Sequence, residues 1–409
     1  MSASIINRFQ ASLETLKAKQ QYRQIPILQH HGQYIIHHGQ SLLNIASNDY
    51  LGLGGDSELQ DEFLNQVRHL SELATLKMSA TSSRLLTGND PQLQALEFEL
   101  ENWYKSALEE PNASTVKSVL VFNSGYHANL GILPALTTLP VKTLILADKL
   151  VHASIIDGIR LSQSKLVSYR RYRHNDYEHL AKLIEQADVA VERILIVTES
   201  IFSMDGDRAD LLSLVQLKAK DPRIELYVDE AHAIGVLGKK GLGLAEETNT
   251  LADIDYLVGT FGKAFASVGA YIMCHDIVKQ WLINQMRPLI FSTALPPINH
   301  AWTRFILAKM PHLADRRLHL AQLSTLLSAA IPERHRITTT EKTEYQSPII
   351  PYLLGDNGLT IAKAKQIQTA GFYALPVRPP TVPVNTARIR LVMNAKLTDE
   401  DCQKLIAHL

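Results

Sequence analysis

Cysteine is scarce in this 409-residue chain, which carries only Cys274 and Cys402. The two lie far apart and do not show the short spacings in which cysteine and histidine bind zinc. A disulfide framework and a metal centre are therefore not expected, and no metal-binding residues are predicted. Because the opening residues also lack the apolar core of a signal peptide, we expect a reducing, cytoplasmic location.

An excess of either charge is lacking as well. The 41 basic side chains balance 41 acidic ones, and no long basic block is present, so a nucleic-acid partner is not expected. No apolar run approaches the length that crosses a bilayer, so no membrane association is expected. Apolar residues make up 46% of the chain and charged residues 20%, which is typical of a globular protein with a packed core.

Nucleotide-binding glycine patterns are also missing. No G-x-G-x-x-G follows a strand and opens a helix, so a dinucleotide-binding fingerprint is absent. The stretch "GVLGKKG" places lysines among glycines, but its spacing is wrong and neither Ser nor Thr follows the lysine. It is not a phosphate-binding P-loop.

The chain does contain a series of short apolar runs that are typical of strands, such as "VLVFNSG", "TLILADK", "ILIVTES" and "ELYVDEA". Helical stretches separate most of the early runs. This alternation predicts an α/β fold whose mainly parallel sheet is covered on both faces. We predict an N-terminal helix and hairpin arm over residues 1–50, a large domain over 51–303, and a smaller α+β C-terminal domain over 304–409.

One lysine stands out because of its neighbours. Lys263 lies in "TFGKAFASVGA", directly after an apolar run. One interpretation is a surface lysine in a strand-to-helix loop, which is the commoner situation for lysine. The other is an amine held where it can lose its charge and act as a Schiff-base nucleophile.

Other predicted strand ends carry residues that suit such a nucleophile. Gly125 and Tyr126 begin a predicted helix whose free amides can hold a phosphate, with a plain turn as the alternative. Asp229 ends an apolar strand and is either a helix cap or the partner of a cation. His152 and Ser203 also follow apolar runs, where a structural histidine and ordinary turn chemistry are the alternatives.

Together these residues make up the set that pyridoxal 5′-phosphate (PLP) requires. The aldehyde of PLP needs a lysine, its pyridine nitrogen needs an acid to stay protonated, and its phosphate needs hydrogen-bond donors. The sequence therefore predicts PLP as the cofactor.

The chain resembles the α-oxoamine synthases, PLP enzymes that condense an amino acid with an acyl thioester. The motifs run in matching order from about Asn44 to the C-terminus: "SNDYLGL", "SGYHANLG", "VHASIIDG", "TESIFSMDGD", "VDEAHAIGVLG", "TFGKAF", "FSTALPP" and "RPPTVPVNTARIRL". The resemblance implies an aspartate-aminotransferase-type fold (fold type I). The last motif resembles the branch that joins L-alanine to a pimeloyl thioester in biotin biosynthesis, with coenzyme A or an acyl carrier protein as the thiol.

The resemblance also implies roles for the matching residues. Lys263 would form the Schiff base, Asp229 would pair with the pyridine nitrogen, and His232 would bond the ring's phenolic oxygen. His152 would stack on the ring face near the substrate carboxylate. The remaining residues around the phosphate and ring edge would be Gly125, Tyr126, Ser203 and Thr260.

Substrate contacts follow from the same resemblance. Arg390 would bind the amino-acid carboxylate, since a planar guanidinium can bind a carboxylate in two places. Arg378 and Thr381 would line the same pocket. Arg23 is a candidate for the distal carboxylate of the acyl chain, with a solvated helix arginine as the alternative. The family also implies a homodimer with shared active sites, in which Thr293 reaches the neighbouring subunit's phosphate.

One stretch departs from the family pattern. Many members have a glycine-rich loop where this chain has Ser79, Ala80, Thr81 and Ser82, and residues other than glycine have less freedom at positive φ. We expect this loop to affect the shape of the acyl pocket and not the condensation.

The alternatives to this function are a sister synthase that uses glycine, an aminotransferase, and an inactive structural homologue. The presence of Lys263 and Asp229 disfavours the inactive homologue.

Overall fold

The computed structural model describes residues 3–69, 76–108, 117–162, 164–337 and 347–409. The α-helices within these ranges are α1 (Ala3–Ala18), α2 (Ser57–His69), α3 (Pro91–Lys105), α4 (Gly125–Leu136), α5 (Ala153–Leu161), α6 (Tyr177–Glu185), α7 (Leu211–Lys220), α8 (Leu244–Glu247), α9 (Asp276–Gln285), α10 (Arg287–Phe291), α11 (Pro297–Lys309), α12 (Ala314–Ala330), α13 (Asn357–Thr369) and α14 (Asp399–Ile406). The strands are β1 (Gln29–His31), β2 (Tyr34–His37), β3 (Gln40–Asn44), β4 (Ser118–Phe122), β5 (Thr143–Asp148), β6 (Val167–Tyr172), β7 (Arg193–Glu199), β8 (Ile224–Asp229), β9 (Tyr256–Thr260), β10 (Ala270–Cys274), β11 (Ile349–Gly355), β12 (Phe372–Tyr373), β13 (Pro376–Val377) and β14 (Ala387–Val392). In the described residues, every helix falls short of the length and apolar character that crossing a bilayer requires.

The chain packs into two units. The larger consists of Asn48–Ser203 and Asp207–Leu318, and the smaller of Met1–Ser47, Met204–Gly206 and His319–Leu409. This division differs from the predicted domains. The N-terminal segment is not a separate arm, because β3 pairs in parallel with β12 inside the smaller unit. The predicted boundary at residue 304 lies within α11, so the larger unit continues beyond it.

The larger unit is built on a seven-stranded sheet of order β4-β10-β9-β8-β7-β5-β6. Strand β10 runs antiparallel to both of its neighbours, whereas the pairs from β9 to β6 are parallel. Every residue of β5, β7 and β9 is buried. Such continuous burial requires cover on both faces of the sheet, which confirms the predicted mainly parallel architecture.

Helix starts in the larger unit follow from local capping. The side chain of Asp90 accepts hydrogen bonds from the amides of Gln92 and Leu93, and Pro91 occupies the first turn of α3. The side chain of Ser124 accepts a bond from the amide of His127 at the start of α4. Both arrangements satisfy amides that have no partner within the helix.

The smaller unit contains two further sheets, of order β1-β2-β3-β12 and β11-β14-β13. The predicted hairpin is confirmed, because β2 and β3 pair antiparallel and Tyr34 lies opposite Leu43. His38 and Gly39 form its turn with φ of 49° and 77°. Strands β11 and β14 pair antiparallel, and α13 lies between them in the chain.

The sheet of the larger unit brings polar residues together at one edge. Glu199 ends β7, and it lies opposite Asp229, which ends β8. Asp148 ends β5 on the other side of β7, and Thr260 ends β9 beside β8. Because neighbouring parallel strands end at the same edge, these residues form one polar rim.

An ion triad stabilises the loops beside this rim. The ring of His174 lies between two carboxylates, with Nδ1 2.9 Å from Oδ1 of Asp148 and Nε2 2.7 Å from Oδ2 of Asp207. Burial alone lowers the pKa of His174, but the hydrogen bonds and charges of the two aspartates outweigh it and raise the pKa to about 9. Asp148 also accepts bonds from the amides of Leu150 and Asn175, so the triad fixes both loops.

Replacing His174 with glutamine is expected to remove a pH-dependent part of the stability. A histidine whose pKa rises on folding stabilises fully below its unfolded pKa of about 6.5, and the contribution is lost as pH rises through the folded pKa. The wild type should therefore lose on the order of 2 kcal/mol of unfolding free energy between these values, a figure reduced for solvent screening. Urea unfolding at several pH values measures the loss. His312→Gln, at an exposed position, is the control, and an unchanged pH slope in His174→Gln would contradict the triad.

Candidate active site

Lys263 lies in a tight turn just beyond the end of β9. Its side chain is half-buried, and its carbonyl oxygen accepts a bond of 2.9 Å from the amide of Ala266. Ala266 has φ of 46°, a left-handed conformation that residues other than glycine rarely adopt. The turn thus holds the lysine at the same edge of the sheet as the polar rim.

Asp229 is a buried carboxylate with amide donors on both oxygens. Only 5% of the residue is exposed. Oδ2 accepts a bond of 2.7 Å from Nδ2 of Asn129, and Oδ1 accepts one of 2.9 Å from the amide of Ala231. The second contact is the turn-capping bond that the alternative interpretation predicts, whereas the first comes from a residue a hundred positions away and binds the carboxylate to α4.

His232 follows Asp229 in the same loop and is also buried. Its Nδ1 lies 2.6 Å from the hydroxyl of Tyr50, which is fully buried. Tyr50 belongs to the "SNDYLGL" motif, but no role for this residue is predicted from the sequence. The contact fixes the rotation of the His232 ring.

His152 caps the N-terminus of α5. Its Nδ1 accepts a bond of 3.3 Å from the amide of Ser154 and lies 2.7 Å from the Ser154 hydroxyl. Burial lowers the pKa of His152, the positive charge of Lys263 lowers it further, and the charge of Asp229 partly offsets both. The imidazole is therefore neutral at pH 7. The ring of Tyr126 meets it edge-on, with 6.4 Å between centroids.

Gly125 and Thr260 approach each other from two strand ends. A Cβ on Gly125 would lie 3.8 Å from Oγ1 of Thr260, which itself donates to the carbonyl of Gly269 at 3.0 Å. The amides of Gly125 and Tyr126 precede the first backbone bond of α4, from Ala128 to Ser124. This part of the site has the amide donors that an anion requires.

Tyr126 and Ser203 complete the predicted cofactor residues of the larger unit. Tyr126 is 44% exposed, and its hydroxyl donates to a carboxylate oxygen of Asp157. Ser203 is half-buried in the turn that follows β7. The hydrogen bond of Tyr126 and the position of Ser203 assign no role to these two residues.

The predicted substrate residues lie in the smaller unit. Nη2 of Arg23 donates to Oγ1 of Thr381 at 2.8 Å, and Arg378 donates to the carbonyl of Gln20. Burial lowers the pKa of Arg378, and the neighbouring charge of Arg23 lowers it further. Arg23, Arg378 and Thr381 thus form a cationic cluster. Arg390 is half-buried on β14, where it pairs with Pro351.

Glu199 is a site residue that the sequence interpretation missed. It is 3% exposed, and its Oε1 accepts a bond of 2.5 Å from the amide of His152. Burial raises the pKa of Glu199 well above its usual range, and the charge of Asp229 raises it further. One signal was available, because Glu199 ends a continuous apolar strand in the same way as Asp229.

The glycine-poor loop contains a residue with positive φ, a conformation that residues other than glycine disfavour. Thr81 has φ of 53°, although a threonine is strained there. The amide of Ala294 donates to the carbonyl of Ser82 at 2.9 Å, and Thr293 pairs with Ser83 in an isolated bridge. The loop is therefore bound to the segment that contains Thr293, whose side chain is exposed.

The residues of the larger unit fit the predicted cofactor chemically. Asp229 supplies a buried acceptor for a protonated ring nitrogen, Lys263 supplies an amine, and the start of α4 supplies amides for a phosphate. Among the described residues, no group of three or more histidine, cysteine or acidic side chains is placed to hold a metal ion.

Comparison with known proteins gives consistent results. A family model described as Aminotransferase class I and II matches residues 40–409. A Haemophilus influenzae protein named "Putative 8-amino-7-oxononanoate synthase" is 53% identical over 404 residues, which cover 99% of this chain and 100% of that protein. The structure of Sphingomonas wittichii serine palmitoyltransferase is similar with a TM-score of 0.81 at 27% identity, covering 99% of this chain and 95% of that one. The structure of 8-amino-7-oxononanoate synthase from Francisella tularensis has a TM-score of 0.69 at 26% identity, covering 90% and 96%. The predicted fold is confirmed.

Two substitutions of Glu199 should separate a neutral carboxyl from a charged one. Glu199→Gln preserves the shape of a neutral group and the acceptor for His152, so the unfolding free energy at pH 7 should change by no more than about 0.5 kcal/mol. Glu199→Ala leaves a buried amide without its acceptor and should lower it by about 1–3 kcal/mol. Urea unfolding measures both.

The pH dependence supplies the control for this pair. A carboxyl whose pKa rises on folding makes stability fall as pH rises above its unfolded pKa, so Glu199→Gln should show a smaller fall than the wild type between about pH 5 and 8. A glutamine variant as unstable as the alanine variant would mean that Glu199 is ionised.

Proposed function

Because the chain belongs to the aminotransferase class I and II family, and within it to the PLP-dependent α-oxoamine synthases, we propose that it catalyses the decarboxylative condensation of L-alanine with a pimeloyl thioester. The product is 8-amino-7-oxononanoate, an intermediate of biotin biosynthesis. The observation that carries the proposal is the 53% identity over nearly the whole chain to a protein named for this reaction, in a chain that retains Lys263 and Asp229 at one sheet edge.

The bonds of the proposed reaction balance without an oxidant. The α-carbon of alanine loses a proton and bonds to the thioester carbonyl carbon, while the C–S bond breaks and the carrier thiol leaves. The carboxylate then departs as carbon dioxide and a proton returns to the α-carbon. When bound, PLP supplies an aldehyde that condenses with an amine and a ring that withdraws electrons from the α-carbon.

The residues of the larger unit would bind and orient the cofactor and transfer the proton. Nζ of Lys263 is the proposed group that takes the α-proton and returns it. Asp229 would hold negative charge against the ring nitrogen, supported by the amide of Asn129. His232, whose orientation Tyr50 fixes, would donate to the phenolic oxygen. His152, a neutral ring, would stack on the cofactor.

The cluster of Arg23, Arg378 and Thr381 supports a dicarboxylic acyl chain. Two guanidinium groups close enough for one to lower the pKa of the other repel each other unless an anion lies between them. We propose that this anion is the distal carboxylate of the pimeloyl group. Arg390 is proposed to bind the carboxylate of alanine, where a planar fork can donate twice.

We further propose a cytoplasmic homodimer. Exposed apolar side chains support the association, since Phe291 beside Thr293 is 69% exposed and Phe9 on α1 is 61% exposed. Such groups are commonly covered by a partner. Two buried cysteines without a disulfide suit a reducing compartment. The acyl carrier is coenzyme A or a carrier protein, and activity with each thioester decides between them.

Replacing Lys263 with alanine is expected to abolish product formation and the absorption of the cofactor bound to the enzyme. Mass analysis of the product from purified enzyme, L-alanine and pimeloyl-coenzyme A measures the first effect. Borohydride treatment of the wild type should fix a pyridoxyl adduct on Lys263. The control is Lys239→Ala, at an exposed position of the same unit. Turnover with glycine or serine in preference to alanine would favour a sister synthase, and amino transfer without thioester would favour an aminotransferase.

Replacing Arg23 with glutamine should weaken recognition of the distal carboxylate selectively. A lost hydrogen bond to a charged group predicts a fall in kcat/KM of about 10-fold to 100-fold with pimeloyl-coenzyme A. With heptanoyl-coenzyme A, which has the same chain length but no distal carboxylate, the fall should be much smaller. Arg8→Gln, exposed on α1, is the matched control. Equal losses with both thioesters would exclude this role for Arg23.

A further inference from the structure

A continuous series of hydrogen bonds connects Asp229 with His152, and it is buried from Asp229 as far as Ser154. Nδ2 of Asn129 lies 2.7 Å from Oδ2 of Asp229 and 3.0 Å from Oγ of Ser154. The Ser154 hydroxyl in turn lies 2.7 Å from Nδ1 of His152. On its other side, Oδ1 of Asn129 lies 2.5 Å from the hydroxyl of Tyr227. Asn129 is 1% exposed, and Ser154 and Tyr227 are fully buried.

The direction of each bond in this chain follows from the carboxylate at its end. An ionised Asp229 can only accept, so the Asn129 amide must turn its NH₂ group toward it. The amide oxygen then faces Tyr227, which donates its hydroxyl hydrogen. Burial raises the pKa of Tyr227 well above its usual range, and the charge of Asp229 raises it further, so this hydrogen stays in place.

The second hydrogen of the Asn129 amide determines the state of Ser154. This hydrogen points to Oγ of Ser154, so the serine oxygen accepts from Asn129 and its own hydrogen is directed to Nδ1 of His152. The same Nδ1 also accepts from the backbone amide of Ser154 at 3.3 Å. With two donors aimed at it, Nδ1 carries no proton.

We infer that Asn129 and Ser154 are positioning residues that hold His152 as the neutral tautomer protonated at Nε2, with the direction of the whole chain set by the negative charge of Asp229. Because burial and Lys263 lower the pKa of His152, the ring stays neutral and one tautomer dominates. The carboxylate proposed to face the cofactor nitrogen therefore also fixes the hydrogen that His152 presents through Nε2. The catalytic use of that hydrogen rests on the proposed function, but the tautomer does not.

The protein contains a second histidine that serves as an internal reference for the tautomer of His152. His275 caps α9 as His152 caps α5, and its Nδ1 accepts from the amide of Ile277 at 3.2 Å. The residue two positions after His275 is isoleucine and offers no hydroxyl. Substitutions of Asn129 or Ser154 should therefore alter the signals of His152 and leave those of His275 unchanged.

The test is nitrogen NMR of the PLP-loaded enzyme labelled with ring-¹⁵N histidine, with His152 assigned by comparison with His152→Gln. The wild type should show an unprotonated Nδ1 and a protonated Nε2 at His152. Ser154→Ala removes one of the two donors, so the ratio of the Nε2–H to the Nδ1–H tautomer should fall about fivefold. Asn129→Asp replaces the donor with an acceptor, so Ser154 should turn toward the new carboxylate and the ratio should invert.

Each outcome decides the inference. A protonated Nδ1 in the wild type, or a Ser154→Ala spectrum identical to that of the wild type at His152, would overturn it. If Asn129→Asp does not fold, Ser154→Ala decides alone. Failure of the proposed function is distinguishable, because an enzyme that does not convert alanine and pimeloyl-coenzyme A can still show the predicted tautomer and its response to Ser154→Ala.

Discussion

The candidate site depends on the burial of one negative charge. Asp229 ends β8, a strand that is buried apart from the half-buried Glu225, and only 5% of Asp229 is exposed. A buried carboxylate is tolerated only with donors or a cation. The donors come from Ala231 in the following loop and from Asn129 on α4. A carboxylate supported in this way remains ready to face a protonated ring nitrogen, which is the electrostatic requirement of PLP chemistry.

Three acids end the neighbouring strands β5, β7 and β8, and like charges so close to one another repel. Each carboxyl group is accommodated differently. Asp148 shares the ring of His174 with Asp207, burial and the charge of Asp229 raise the pKa of Glu199, and Asp229 accepts hydrogen bonds from amide groups of Asn129 and Ala231. The three acids therefore have different partners, and Asp229 is the one at the position that the proposed chemistry uses.

The two units carry different parts of the proposed chemistry. The larger unit holds the lysine, the acid and the ring neighbours, and its rigid parallel strands fix their spacing. The smaller unit holds the arginines, which suit carboxylates of the substrates. Within the larger unit, strain is found in the turn after Lys263 and in the glycine-poor loop, since Ala266 and Thr81 both have positive φ. Such conformations persist only where the surrounding structure enforces them.

The sequence by itself determined the fold class and the family, and it predicted the residues of the candidate site. Strand periodicity is a local property, and so is the position of Asp229 and of Lys263 at or just after the end of an apolar run. Both can therefore be recognised from short stretches of the sequence. It did not determine the domain boundaries, because the pairing of β3 with β12 joins segments more than three hundred residues apart. Only the tertiary structure revealed the contacts of Glu199, the contact of Tyr50 with His232, and the hydrogen bonds of Asn129 and Ser154, because these contacts join distant segments. A hydrogen bond such as that between Asn129 and Asp229 depends on distance in space, which sequence order does not encode.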